Sequence, residues 1–533
     1  MNIKKISFGL VLATLISGVI NSNTYASLPH GGRLVIYSQD EPKSLDPLFN
    51  ESESAKAIYN LVYSGLVKVD DNFDSYADLA VTVPTFENKG VIQDGSDMIV
   101  TYKLKEMTFW HDGVPVTAED IIFTWQCYTN PDIKKAPDQN IDGYQKIYKI
   151  ESTDPKTVKI YFKEHYADYN KLFTYILPKH GFLPKTLLSI DSKHPFNYSP
   201  IGSGPFKFVD WKPGKRLTLD VNEKYYRPRP HIDQVIYTYG KFNKAVVNDI
   251  EKGEIQLFQN ASVEQKNMLT NIKNINTLNV ASMSMDELAF NTESKILNDL
   301  NIRKAIAHAI NKEKIAEKFP ELKSTWSDSH PNSSIYENKL KDVYLYDMKM
   351  SQYLLDNSGW IIDDKDGVRK NSNNMPLELN LITTDSKIHN SIAEYMKENL
   401  SYLGIKLNIK SMNDTDFAKE TIDSTKYDIA IYNKNCSING EDRKDYLGAK
   451  SLPPYGHNYS RFNAPQINDI FNSSNKVNNV DSEKQVSSLL REELPIIPLF
   501  SYVRSIAVSN RLNNFRPNMV NGNTWNISEW WLN

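Results

Sequence analysis

The sequence predicts a mixed α/β or α+β protein with more than one hydrophobic core. Segments typical of strands and segments typical of helices are mixed along the whole chain. The 533 residues exceed the roughly 250–300 at which a single core stops growing. Apolar residues make up 40% of the chain and charged residues 24%, as in soluble globular proteins.

The first strand is predicted at residues 32–37, and an irregular segment follows it. The block reads Gly-Arg-Leu-Val-Ile-Tyr, which suits a strand. Two prolines, Pro42 and Pro47, lie in the next segment. They exclude a helix there and favour extended or turning backbone.

Residues 109–125, FWHDGVPVTAEDIIFTW, form the most informative motif of the chain. A strand is expected to end at Trp110, and the polar His-Asp-Gly then turns the chain. Thr117 followed by Asp120 is the cap-and-acid pattern of a helix start. The apolar face of that helix consists of Ile121, Ile122 and Trp125.

Later segments predict a hairpin, a further helix and a capped helix end. Apolar residues alternate on both sides of the Lys212–Lys215 turn, although the first strand loses its phase at Val209. Residues 301–311 have one apolar face, and Gly359 suits a helix C-cap. The acidic run at 363–367 predicts a tight turn, because the ligand positions of a calcium loop are not filled.

Taken in order, these segments resemble the extracellular solute-binding proteins of oligopeptide, dipeptide and nickel ABC importers. The family carries aromatic-His-Asp-Gly-x-Pro-x-Thr-Ala-Glu-Asp, as at 110–120, and Pro-x-x-Leu-Asp-Pro, as at 42–47. Its Gly-Thr-Gly-Pro-Tyr turn corresponds to residues 202–206, with Ser and Phe substituted. Further matching blocks lie at 60–67, 77–80, 222–226, 290–291, 400–405, 427–430 and 494–499.

The resemblance implies an α/β, two-lobed periplasmic binding protein fold of type II, with the ligand cleft between the lobes. The first lobe would then comprise residues 27–63, 190–285 and 505–533, with 64–189 as a small extra domain. The second lobe would comprise residues 286–504. The chain would cross between the lobes near residues 285 and 505.

The N-terminus predicts secretion through a cleavable signal peptide, residues 1–26. Lys4 and Lys5 precede an apolar run from Ile6 to Ile20, and small residues permit cleavage after Ala26. The run is shorter than the roughly 20 residues of a spanning helix. Because no cysteine precedes Cys127, the lipid-anchored cysteine of many relatives is missing, and we expect a periplasmic protein without a lipid anchor.

Charge and motifs exclude several other classes of function. Removal of Lys4 and Lys5 moves the formal charge from −3 to −5, which disfavours nucleic acid as a partner. The ten histidines show no metal-ligand spacing, and Gly202-Ser203-Gly204 lacks the glycine of a nucleophile elbow. His111 lies in a predicted structural turn. We therefore expect neither an enzyme nor a cofactor or metal site.

The two cysteines, Cys127 and Cys436, are expected to remain unbridged. By the architecture of the family they fall in different lobes, whereas a disulfide needs Cα atoms within roughly 7 Å.

Two polar segments are the candidate ligand contacts, one from each implied lobe. In the first lobe they are Asn50, Glu51, Ser52 and Glu53. In the second lobe they are Tyr432, Asn433, Lys434, Asn435, Cys436 and Ser437. Extended segments of this kind can pair with a peptide backbone. Each is alternatively a solvated polar loop.

This chain departs from the family at the residue that binds the amino terminus of a peptide. Peptide-binding relatives carry Gly-Trp-x-x-Asp here, whereas Lys434 stands in place of the tryptophan and Ser437 in place of the aspartate. Serine offers only a neutral acceptor. Acids that would substitute for the aspartate are Glu51, Glu53, Glu441, Asp442 and Asp445. Otherwise the ligand lacks a free amino terminus or is not a peptide, and Lys434 favours an anionic group.

The resemblance therefore implies the substrate-capturing subunit of an ABC importer, with an oligopeptide as ligand and membrane permease subunits as partners. A monomer is expected. The alternatives are a metal chelate, sugar or modified peptide on the same fold, a secreted hydrolase, and a sensor or adhesion protein that no longer transports.

Overall fold

The computed structural model describes residues 29–533 except for the following gaps. These are 73, 137–140, 167, 183–189, 332, 334–335, 337–343, 437–442, 474–479 and 519–521. The predicted signal peptide, and Ser437, Glu441 and Asp442 among the candidate site residues, lie outside the described residues.

The helices are α1 Glu53–Val62, α2 Ala118–Thr129, α3 Ile141–Gln145, α4 Lys244–Glu251, α5 Val263–Leu269, α6 Leu300–His308, α7 Lys312–Ala316, α8 Met348–Asn357, α9 Lys387–Ser401, α10 Asp414–Glu420, α11 Arg443–Leu447, α12 Pro465–Ser473 and α13 Val480–Glu493. Short 3-10 helices occur at Tyr169–Lys171, Lys179–Phe182, Pro195–Asn197, Ser424–Lys426, Ala449–Ser451 and Ile527–Glu529. In the part of the chain that the structure describes, none of the helices combines the length and apolar character required to span a bilayer.

The strands are β1 Arg33–Ser38, β2 Val67–Val69, β3 Ser75–Ala77, β4 Val91–Asp94, β5 Asp97–Lys103, β6 Ile147–Asp154, β7 Thr157–Phe162, β8 Phe206–Lys212, β9 Arg216–Val221, β10 Gln234–Tyr239, β11 Leu257–Ala261, β12 Ile275–Phe290, β13 Leu322–Ser324, β14 Ile361–Ile362, β15 Arg369–Lys370, β16 Glu378–Thr384, β17 Lys406–Met412, β18 Ile429–Asn435, β19 Ile496–Ser509, β20 Leu512–Asn513 and β21 Trp531–Leu532.

One large mixed sheet runs through the molecule in the order β17-β16-β18-β12-β19-β11-β1-β10-β9-β8, with β13 also paired to β19. A separate antiparallel sheet, β4-β5-β7-β6, lies within the range predicted for the small extra domain. Two-stranded sheets are formed by β2–β3, β14–β15 and β20–β21.

The long strands β12 and β19 pass from one hydrophobic core to another. In β12, Leu288 belongs to a core that also contains α6 and α9, whereas Ile275 packs with α4 and α5 residues. In β19, Phe500 belongs to the same core as Leu288, whereas Ile506 belongs to a core built around β1 and α1. The predicted crossovers near residues 285 and 505 fall in these intervals, although the lobe boundaries themselves remain predictions.

Most local predictions are confirmed, but the strand expected to end at Trp110 is only an isolated bridge between Phe109 and Pro115. Helix α2 begins after Thr117, whose N–H donates to Asp120 Oδ2 at 2.9 Å. Gly359 follows α8 with a φ of +77°, as a helix C-cap requires. The loss of phase at Val209 has a physical cause, because a β-bulge between Phe208 and Asp210 shifts the register of β8 against β9.

The cysteines are buried as separate thiols, as predicted. Cys127 lies on the buried face of α2, and burial raises the pKa of its thiol. The thiol of Cys436 contacts the carbonyl oxygen of Met283 at 3.1 Å.

The glycine turn at 202–204 packs directly on α1 and is held by His111. A Cβ atom on Gly202 would lie 1.7 Å from the carbonyl oxygen of Val62, so the turn excludes a side chain there. His111 accepts the Gly202 N–H on Nδ1 at 3.2 Å, and its Nε2 lies 3.1 Å from the carbonyl oxygen of Gly204. The histidine of the signature motif therefore has a structural contact.

Replacement of Gly202 by alanine should destabilise the protein severely. The clash is with backbone, which cannot be relieved by a rotamer change, so we expect a loss of about 3 kcal/mol or more in the free energy of unfolding. Gly214→Ala is the comparison, because Gly214 has a φ of +71° and no atom within 4 Å of the added Cβ. That variant should lose only about 1 kcal/mol. Equal losses in urea denaturation would contradict the packing argument.

His111 should make stability depend on pH. Burial lowers the pKa of His111 from 6.5 to about 4. At a pH between these two values, the unfolded chain binds a proton at His111 and the folded protein does not. The contribution of His111 to the free energy of unfolding is therefore fully present above pH 6.5. It falls by about 3 kcal/mol as the pH drops from 6.5 through 4.

Comparison with His111→Gln isolates this contribution. Asp46 titrates in the opposite sense, because burial raises the pKa of its carboxyl group to about 7. Between pH 7 and pH 4, the free energy of unfolding measured by urea denaturation should fall more in the wild type than in the variant. Parallel pH curves for the two proteins would disprove the assignment.

Candidate ligand-binding segments

The first candidate segment, Asn50–Glu53, is fixed by hydrogen bonds at the start of α1. The Tyr59 hydroxyl donates to the carbonyl oxygen of Asn50 at 2.8 Å. The Asn50 side-chain oxygen accepts the Ser52 N–H at 3.0 Å, and Ser52 in turn caps α1. Asn50 is buried, so two of the four predicted residues position the segment.

The two acids of this segment remain more accessible. Glu51 is partly exposed and pairs with Lys56 at 2.7 Å. Glu53 is exposed, and its carboxylate accepts a hydrogen bond from Asn260 Nδ2 at 3.3 Å. Asn260 has a φ of +59° and lies at the bulge of β11, so it was not predictable from sequence periodicity.

The second candidate segment begins within β18, and residues of two family motifs fix the start of that strand. Asn291 donates through Nδ2 to the carbonyl oxygens of Ser424 and Tyr427, at 2.7 and 2.8 Å. Asp428 Oδ2 accepts the N–H of Asn380 on β16 at 2.7 Å. These bonds fix where β18 begins between β12 and β16.

Side chains of the second segment alternate between the interior and the surface. Tyr432 and Lys434 are buried, whereas Asn433 and Asn435 are exposed. The strand pairs antiparallel with β12 from Ile429 to Asn435. The structure thus places Asn433 and Asn435 outward and the other two side chains inward.

Lys434 belongs to a buried ion pair. Its ammonium lies 2.8 Å from Glu287 Oε1, with side chains 1% and 0% exposed, and Tyr432 donates to Glu287 Oε2 at 2.7 Å. Burial raises the pKa of Glu287, and the neighbouring Lys434 opposes that shift. The positive charge that was expected to favour an anionic ligand is therefore balanced inside the protein.

A second polar cluster, which sequence reasoning missed, lies beneath Asn433. Buried Asp286 accepts hydrogen bonds from Asn433 Nδ2 at 2.8 Å and from the Tyr502 hydroxyl at 2.9 Å. Its Oδ1 also lies 3.1 Å from His389 Nε2. The available signal was the pair Asp286-Glu287 within an otherwise apolar strand end.

The backbone of the second segment has two edges with different partners. The Cys436 N–H donates to the carbonyl oxygen of Met283 at 2.7 Å, which continues the pairing with β12. Because backbone groups alternate along a strand, those of Asn433 and Asn435 point to the opposite edge. Pairing on that edge with β16 ends at Ile431.

A metal site would need several ligating side chains close together in the described residues. No group of three or more His, Cys, Asp or Glu side chains suitable for a metal ion occurs among them.

The Glu287–Lys434 pair generates a stability prediction. Lys434→Met leaves the Glu287 carboxyl group buried without this cation, so we expect a loss of about 3–5 kcal/mol in the free energy of unfolding. The double variant Glu287→Gln/Lys434→Met should lose less than the sum of the single variants. Lys406→Met, from an exposed pair with Glu378, should cost under about 1 kcal/mol. Additive losses in urea denaturation would refute the coupling.

Comparison with known proteins identifies the class of the chain. The profile of bacterial extracellular solute-binding proteins, family 5 Middle, matches residues 93–446, more than half of the chain. The oligopeptide-binding protein AppA of Bacillus subtilis is 24% identical over 518 residues, which cover 94% of this chain and 92% of AppA.

Solved structures show the same fold. AppA from Bacillus subtilis in complex with a nonapeptide aligns with a TM-score of 0.65 at 22% identity, over 95% of this chain and 100% of AppA. NikZ from Campylobacter jejuni in complex with Ni(L-His) gives 0.66 at 22% identity, over 94% and 99% of the two chains. HbpA2 from Haemophilus parasuis gives 0.79 at 18% identity, over 94% and 100%.

These matches confirm the fold that the sequence resemblance implied, the two-lobed type II periplasmic binding protein fold. Members of this family are substrate-binding proteins, and AppA is named for oligopeptides. The profile match covers the signature motif and the second candidate segment together. The chain belongs to the bacterial extracellular solute-binding proteins, family 5.

Proposed function

We propose that this protein is the periplasmic substrate-capturing subunit of an ABC importer and that it binds oligopeptides between its two lobes. The signal peptide predicted at residues 1–26 would deliver it to the periplasm. Its partners would be the membrane permease subunits, and it would act as a monomer. Ligand capture and release, without a chemical step, would be its whole activity.

The continuity of β12 and β19 supports capture by lobe closure. Both strands connect separate cores, and the register of β12 against β19 shifts between Ala281 and Met285. A bulge at this place gives the connecting strands a point of bending. A ligand that contacts both lobes would stabilise the closed form and shift the population toward it.

The observation that carries the peptide assignment is the edge of β18 at Asn433 and Asn435. The strand runs past the end of β16 while it remains paired with β12. An extended peptide can add to such an edge through main-chain hydrogen bonds, independently of its side chains. Asn433 and Asn435 are exposed beside this edge, so a ligand can reach the backbone there.

The amino terminus of the peptide would be bound by an acid other than that of relatives. Ser437 stands at the position of the family aspartate, and Glu53 is an exposed acid of the first segment. Glu51 is the other acid of that segment, and it already pairs with Lys56. We assign the α-amino group to Glu53.

The departure at Ser437 also favours a second candidate ligand class. A family member without this aspartate would suit an N-blocked peptide or a small chelate, and NikZ is a structural neighbour crystallised with Ni(L-His). The two classes differ in whether a free ammonium group is required.

A thermal unfolding scan of refolded, ligand-free protein against peptides tests the proposal. A ligand at a hundred times its Kd should add about 2.7 kcal/mol to the free energy of unfolding. Free peptides should stabilise the protein, and N-acetylated peptides should do so less. Stabilisation by acetylated peptides alone would support the second class, and no response to any peptide would rule out the oligopeptide assignment.

Two matched variants test the strand-edge contact in the same assay. Asn435→Pro removes the backbone N–H, whereas Asn435→Ala keeps it and removes only the side chain. One lost hydrogen bond should weaken peptide binding roughly threefold to tenfold in Asn435→Pro. Binding by Asn435→Ala should stay near wild type. Equal Kd values for the two variants would contradict backbone pairing here.

A further inference from the structure

A polar cavity of about 230 Å³ lies among segments that contain neither candidate ligand segment. Residues from several separated parts of the chain form its walls. Lys68 lies on β2 and Tyr76 on β3, Arg227 follows β9, and Arg516 and Trp525 belong to the C-terminal segment.

Buried Lys68 and partly exposed Arg227 share one buried carboxylate, that of Asp78, at the floor of this cavity. Arg227 Nη2 lies 3.1 Å from Asp78 Oδ1, and Lys68 Nζ lies 3.6 Å from Asp78 Oδ2. The side chains of Lys68 and Asp78 are 6% and 1% exposed. Burial alone would raise the pKa of Asp78, but these cations hold it below its ordinary value. Asp78 is therefore ionised and balances one of the two positive charges.

The Asp78 carboxylate also accepts two further hydrogen bonds. Asp78 Oδ1 accepts the Tyr226 hydroxyl at 2.6 Å, and Oδ2 accepts the Gly65 N–H at 2.9 Å. The distance of 3.6 Å from Lys68 is longer than a hydrogen bond. A lysine ammonium offers three donors, so Lys68 presents hydrogen-bonding capacity that Asp78 does not take up.

Aromatic rings hold two guanidinium groups at the cavity wall. Arg227 lies over the ring of Tyr76 at 5.2 Å, and Arg516 lies over the ring of Trp525 at 4.7 Å. The rings of Tyr76 and Trp525 are neighbours, with centroids 6.3 Å apart. These ring contacts limit the movement of both cations.

The charges at the rim and at the floor of the cavity differ. Arg516 at the rim pairs with two acids, Asp71 at 3.2 Å and Glu529 at 2.9 Å. At the floor, Lys68 and Arg227 face the carboxylate of Asp78, and Asp70 also lines the cavity. The Nε of Arg227 is buried and has no hydrogen-bond partner among the described residues, and a buried donor left in this way is costly unless an acceptor binds it.

We propose that this cavity binds a small oxyanion, a carboxylate, sulfate or phosphate group, between Lys68 and Arg227. A water molecule occupies about 30 Å³ in the liquid, so the cavity holds a tetrahedral anion with several waters. Asn60 of α1 also lines the cavity, at the opposite end of the helix from Glu53. The site is thus separate from the proposed peptide site.

Isothermal titration calorimetry with sodium sulfate, sodium phosphate and sodium acetate at constant ionic strength tests the proposal. At least one salt should bind in a saturable manner, and Lys68→Met should weaken that binding about tenfold or more. Lys105→Met is the matched control, because Lys105 donates to the carbonyl oxygen of Asp78 and does not line the cavity. Equal binding by the two variants, or no binding of any salt to wild type, would overturn the proposal.

A second measurement does not depend on a variant that folds. Crystals of the wild-type protein soaked in sodium selenate should show an anomalous selenium peak beside Lys68 and Arg227. An empty cavity at saturating selenate would overturn a tetrahedral anion site. Peptide binding by Lys68→Met should match wild type, so failure of this site and failure of the proposed function are distinguishable.

Discussion

The pairing of two long strands, β12 and β19, holds the large sheet together and sets the positions of its other strands. Their ladder runs from Ile275 against Ser509 to Ala289 against Ile496, with register shifts near its middle. Separate cores are packed on its two ends. A ladder of this length fixes the relative order of all neighbouring strands, and β18 and β11 attach to its opposite sides. Both candidate lobes are therefore built on one continuous element.

Buried charges explain how the second candidate segment is positioned. Glu287 and Asp286 are adjacent on β12, so their side chains leave the strand on opposite faces. Glu287 holds Tyr432 and Lys434 on one face of β18, and Asp286 holds Asn433 on the other. Because each carboxylate has its partners inside the protein, the exposed part of this segment consists of amides and backbone. This chemistry suits the capture of a peptide main chain better than that of a specific charge.

The sequence predicted the local elements well because their signals are local. The cap at Thr117, the glycine stop at Gly359 and the hairpin around Lys212–Lys215 each depend on residues a few positions apart. It predicted less of the site, because Asp286, His389 and Tyr502 are far apart in the chain and meet only through sheet pairing. The burial of Lys434 in an ion pair could not be predicted for the same reason, since its partner Glu287 lies across a strand pair.

The family, the mixed α/β class and the two segments of the ligand proposal can all be inferred from the order of residues in the chain. Ordered motifs along the whole chain suffice for this, because each motif encodes a turn, cap or strand with its own local physics. Which polar side chains face inward is known only from the folded chain, and folding also brings Lys68, Arg227 and Arg516 to one cavity. Burial and charge balance depend on distances between residues remote in sequence, and those distances are set by packing and strand register.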